Sequence, residues 1–90
     1  MVRRIVLTML DADKRQAVLV KKVDRELPSA RVLPIETPTG KKINAVVIGV
    51  KKYESEYQIE VIHMADEKLA DMLSLLKSDG WMERRRRPAT

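Results

Sequence analysis

Cations set in pairs are the residues of this chain best suited to chemistry. Lys14 and Arg15, Lys21 and Lys22, Lys41 and Lys42, and Lys51 and Lys52 recur through the first half, and Arg84, Arg85, Arg86 and Arg87 form a run near the end. Ammonium and guanidinium groups at this density favour phosphate oxygens, which position a nucleic-acid backbone without reading its sequence. Residues 1–53 carry a net +7, residues 54–83 a net −6 and residues 84–90 a net +4, which together give the +5 of the whole chain. The basic pI is therefore mostly a property of the last seven residues.

Other chemistries find little support. The chain has no cysteine, which excludes disulfides and thiolate metal sites. His63 is the only histidine, with no second His at ligand spacing, so a structural role is expected of it and no metal site. Asp11 and Asp13 lie close enough to hold a divalent ion, yet caps and turns use the same residues. No nucleophile stands beside a base, and neither a glycine-rich phosphate loop nor a zinc spacing occurs. The expectation is a non-enzymatic protein without a cofactor. Tyr53, Tyr57 and Trp81 are the only aromatics, too few for base-stacking platforms.

Such groups need elements to hold them. Residues 3–10 are apolar on both faces of an extended chain, as expected of a strand inside a sheet. Asp11 stands where a helix N-cap would, and residues 12–27 read as a helix. At ~100° per residue, Ala12, Leu19, Val20, Val23 and Leu27 share one arc, and Lys14, Arg15, Lys21, Lys22 and Arg25 share the opposite one. A competing reading makes residues 16–23 a strand paired back on residues 3–10 through an Asp-Ala-Asp-Lys turn, drawing on three valines.

Pro34 restricts residues 31–36 to a loop or an edge strand, and Thr37-Pro38-Thr39-Gly40 reads as a turn. Residues 43–50 and 57–63 then form a plausible hairpin through residues 51–55. Asp66 is placed to cap a second helix with Leu69, Met72, Leu73 and Leu76 as its apolar stripe. Gly80 and Trp81 end that helix in a Schellman motif, and residues 81–83 begin a last edge strand.

Strand, helix, hairpin, helix, strand is the order of an α+β, two-layer ferredoxin-like βαββαβ sandwich, with residues 31–36 as a loop or an extra edge strand. Residues 1–83 would form the single domain and residues 84–90 a flexible arginine-rich tail. The heavy charge, 34% of residues, with few amides is thermophile-like. No apolar run spans a membrane and no signal peptide is evident, so a cytoplasmic location with no membrane partner is expected.

Residues 76–81 resemble the helix-to-strand turn of small mRNA-cleaving toxins with a dsRNA-binding-like fold. Those enzymes carry Gly-Ser-His after it, where this chain has Arg84 to Arg87, so their activity is not carried over. The element order is also similar to that of ACT-like regulatory domains, which is an analogy of fold alone.

Two functions follow as expectations. In the first, the protein binds DNA or RNA backbone through Lys14, Arg15, Lys21, Lys22, Arg25, Lys41, Lys42, Lys51, Lys52 and Arg84 to Arg87. In the second, it is an interaction or regulatory module that homo-oligomerises, or docks on an acidic protein, through complementary charge blocks. If Leu75 and the second face of residues 43–50 are apolar surface, a homodimer would cover them.

Overall fold

Two hairpin turns of one design shape the first half of the chain. In the computed structural model, which describes residues 2–24, 27, 30–66 and 68–84, the Asp11 N–H donates to the Arg15 carbonyl at 3.1 Å and the Lys14 N–H to the Asp11 carbonyl at 3.0 Å. Thr37 to Lys41 repeat the pattern: the Thr37 N–H donates to the Lys41 carbonyl at 2.8 Å and the Gly40 N–H to the Thr37 carbonyl at 2.9 Å. Each turn needs a left-handed residue, and Lys14 (φ 62°) supplies in the first what Gly40 (φ 84°) supplies in the second. The Asp11 Oδ1 holds the first turn further, accepting from the N–H groups of Asp13 at 3.0 Å and Arg15 at 2.8 Å.

These turns join β1 (Val2–Leu10) to β2 (Gln16–Val23), and β3 (Val32–Glu36) to β4 (Lys42–Lys52). There follow β5 (Glu56–Met64), α1 (Leu69–Lys77) and β6 (Met82–Arg84). The six strands form one sheet in the order β3-β4-β5-β1-β2-β6. Every neighbour pair is antiparallel except β1 and β5, which run parallel. From β5 the chain returns through α1 to add β6 at the far edge, beyond β1 and β2.

This architecture corrects the βαββαβ expectation, because one short helix and a six-stranded mixed sheet replace the two-helix sandwich. The misread segment is 12–27. Asp11 caps a hairpin turn instead of a helix, and residues 16–23 pair with β1 from Leu10↔Gln16 to Arg3↔Val23. β-Branched Val18, Val20 and Val23 suit that pleated surface, and each gains a cross-strand neighbour that a helix would not provide. The cap assigned to Asp66 is also absent. Lys68 occupies the N-cap of α1, with no side-chain bond to the helix.

Elsewhere the local signals match. β3, which contains Pro34, lies at the edge of the sheet, where a missing N–H costs no ladder bond. The Gly80 N–H donates to the Lys77 carbonyl and the Trp81 N–H to the Leu76 carbonyl, both at 3.2 Å, with Gly80 at φ 88°. Arg84 belongs to β6, so the folded region runs at least one residue past the boundary placed at 83.

The core lies between α1 and one face of the sheet. Ile5, Leu7, Met9, Leu19, Leu33, Ile35, Ile43, Ala45 and Val61 meet Ala65, Met72, Leu76 and Trp81 there. The sheet curls around this cluster strongly enough that Leu33 and Ile35 of β3 share a cavity of about 120 Å³ with Ile5, Val23 and Trp81. No other helix or strand among the described residues packs on the opposite face.

Candidate interaction surface

Strand register decides which side chains share the uncovered face, because residues paired across a sheet project to the same side. One row runs Val32, Val46, Ile62, Thr8, Val18 and Arg84, across all six strands. The neighbouring row holds Gly49, Glu60, Val6, Val20 and Met82. Beyond it comes a polar row of Lys51, Gln58, Arg4 and Lys22. On the other flank, Leu10 with its partners Gln16 and Met64 forms a row without charge.

Several of these apolar groups stand well out in water: Val32 is 44% exposed, Val46 48%, Ile48 59%, Met64 60% and Met82 74%. Single exposed aliphatics are ordinary on a protein surface, whereas Val32, Val46 and Ile48 form a group on adjacent strands β3 and β4. Ile48 belongs here through a β-bulge between Val47 and Gly49 in β4. Of the expected apolar surface, the second face of β4 is exposed as anticipated, whereas Leu75 is half-buried on α1.

The basic residues among those described do not assemble into one patch. Lys14 and Arg15 sit exposed in the first turn, and Lys41 and Lys42 at the second. Lys21 projects to the helix side, its Nζ 3.3 Å from the Asp79 Oδ2 and 5.9 Å from the Trp81 ring centroid. Lys22 lies on the uncovered face. Lys51 is on that face too, with its Nζ 3.2 Å from the Glu60 Oε1, while Lys52 turns to the other side over Tyr57 at 5.7 Å. Arg84 is cross-strand from Val18. Arg25 and Arg85, Arg86 and Arg87 lie outside the described residues. The single basic helix face is therefore corrected along with the helix.

The charge blocks also interleave in space. β5, which opens the acidic block, is inserted between β4 and β1 of the basic block. Arg4 pairs with Glu56 at 3.4 Å, Lys51 with Glu60 at 3.2 Å and Lys21 with Asp79 at 3.3 Å, each joining one block to the other. Only partly shielded from water, such pairs contribute little to stability, about 0–1 kcal/mol each. Their consequence is electrostatic: acids that looked free to attract a partner already face cations of their own chain.

One corner gathers charge without an equal number of acids. Arg4, Lys22 and Arg84 border a cleft of about 540 Å³ floored by Val20 and Met82. The imidazole of His63 is held by a hydrogen bond from its Nδ1 to the Asn44 carbonyl at 3.3 Å. Among the described residues no three His, Asp or Glu side chains converge on a metal position. None of the described helices is long and apolar enough to cross a membrane.

The working candidates that sequence reasoning left out are Val32, Ile62, Met64 and Met82. Their signal was a second apolar face on strands already read as strands. No family model matches the chain, and no curated protein or solved structure matches it.

Proposed function

We propose that this protein is a non-enzymatic interaction module whose working surface is the uncovered face of its sheet. The exposed aliphatics Val32, Val46 and Ile48, continued inward by half-buried Ile62 and Val18, carry this reading. Covering them removes apolar surface from water at ~25 cal/mol per Å², a gain the isolated chain forgoes. Association of this kind is driven by aliphatic burial, with charges at the margins setting orientation. The phosphate-backbone reading is not carried forward, since the helix that would have aligned its cations is a strand with side chains on two faces.

The test is the size of the tagged protein in a cell lysate, measured by gel filtration beside a Val46→Lys, Ile62→Lys double variant. An assembly heavier than the 10.3 kDa chain is expected for the parent, and a shift to monomer for the variant. A parent that elutes as monomer, or an assembly indifferent to both substitutions, refutes the reading.

A further inference from the structure

We infer that the inner face of the sheet, the one α1 covers, holds a small-molecule site at its far end, and that this site takes a short aliphatic carboxylate. The site lies on the opposite side of the sheet from the surface proposed above and does not depend on that reading. Three observations support it: a gap in the core, the chemistry around the gap and its size.

The inner face is unevenly filled. At its middle Leu7, Met9, Leu19 and Val61 are wholly buried. Two rows of the same parity continue past them, Ile59 with Val50 and then Tyr57 with Arg3 and Lys52. Ile5 is still buried where it pairs with Ile59, but Ile59 and Tyr57 are only half-buried and Val50 is 61% exposed. Leu27 and Ala30, from the segment between β2 and β3, form a wall here. Between that wall and a floor of Val47, Val50 and Ile59 remains a cavity of about 320 Å³. The bulge in β4 makes this floor. It takes up Ile48 and Gly49 together on the outer face, so that Val47 and Val50 share the inner side three positions apart, where regular alternation would send one of them outward.

The surroundings select the ligand. The aliphatic floor offers no side-chain donor or acceptor, and the cations gather at one end. Arg3 lines the cavity with its Cζ 5.8 Å from the Tyr57 ring centroid, and the Lys52 Nζ lies 5.7 Å from the same centroid. None of the described residues lining the space is an acid. A molecule with an apolar tail and an anionic head matches both parts: the tail leaves water against Val47, Val50 and Ile59, and the carboxylate accepts charge-assisted hydrogen bonds at the Arg3 and Lys52 end. An apolar hollow with a few polar groups at one side is the usual form of a small-molecule site, and this one falls at the lower end of the usual ~300–1,000 Å³. One turn of an α-helix, ~10 Å across and ~5.4 Å long, already exceeds it, so a partner helix does not fit.

The test is a methyl-detected NMR titration of the purified full chain with octanoate. Saturable shifts are expected at Val47, Val50 and Ile59, with a dissociation constant on the order of 1 mM, and none at Val46 or Ile62 on the outer face. Octylamine, with the same tail and the opposite charge, should bind at least about tenfold more weakly. Lys52→Glu, a change at an exposed strand end, should weaken octanoate about tenfold while leaving the spectrum of the free protein dispersed. The Val46→Lys variant should bind octanoate as the parent does, which separates this site from the surface on the other face. Shifts that do not saturate, equal binding of octylamine, an affinity unchanged by Lys52→Glu, or shifts centred on Val46 and Ile62 each overturn the site.

Discussion

The two faces of the sheet are built from the same strands and alternate residue by residue, yet only one of them is covered by α1. Leu19 is wholly buried in the core, and its neighbours Val18 and Val20 lie half-buried on the other side, where no described helix or strand packs. On the covered face most aliphatics pack within the chain, from Ile5, Leu7 and Leu19 to Ile43 and Val61, and the fold depends on them; Val50, at the end of β4, is the exposed exception. The uncovered face also carries aliphatics, of which Val32, Val46, Ile48, Met64 and Met82 stand exposed while Val6 is buried.

The contrast is broken first where it is strongest. Leu19→Ala should cost about 2–5 kcal/mol in urea unfolding, the usual range for a Leu removed from a filled core. Val18→Ala, one residue away, should cost well under half of that in dilute solution, and a comparable loss would mean the second face is covered within the monomer. Lys51→Ala removes the Glu60 pair and should lower stability by about 0.2–1 kcal/mol, with the difference shrinking in high salt. Val46→Lys should shift the unfolding midpoint least, within about 0.5 kcal/mol, because its side chain is already half in water. Its association should nonetheless disappear, and that separation of stability from assembly is the sharpest form of the contrast.

Most strand boundaries could be read from local chemistry, and so could the end of α1, because Pro34, Gly40 and Gly80 fix the backbone through their own geometry. The error at residues 12–27 has a definite cause. Its turn makes the same backbone bonds as residues 37–41 but places Lys14 where the other places glycine, so the usual mark of a hairpin is missing. Apolar residues on both faces of β2 then fit a helical period nearly as well as a pleat. Lys14→Gly should therefore stabilise the protein, by about 0.5–1 kcal/mol in the same unfolding assay. The charge blocks were legible as a linear pattern only. That β5 lies between β4 and β1, bringing Glu56 to Arg4 and Glu60 to Lys51, depends on pairings between distant segments that no local window contains.

The parallel pairing of β1 with β5 has a consequence for how the chain reaches its fold. Val2 aligns with Glu56, 54 positions on, while the other edge of β1 is satisfied early by the neighbouring hairpin. Until β5 exists, a central strand has one edge of unmatched amides and carbonyls open to any other extended chain. Non-local closure of this kind slows folding. Refolding yield should consequently fall as protein concentration rises, and the vulnerable interval is the time that β1 spends with only one neighbour.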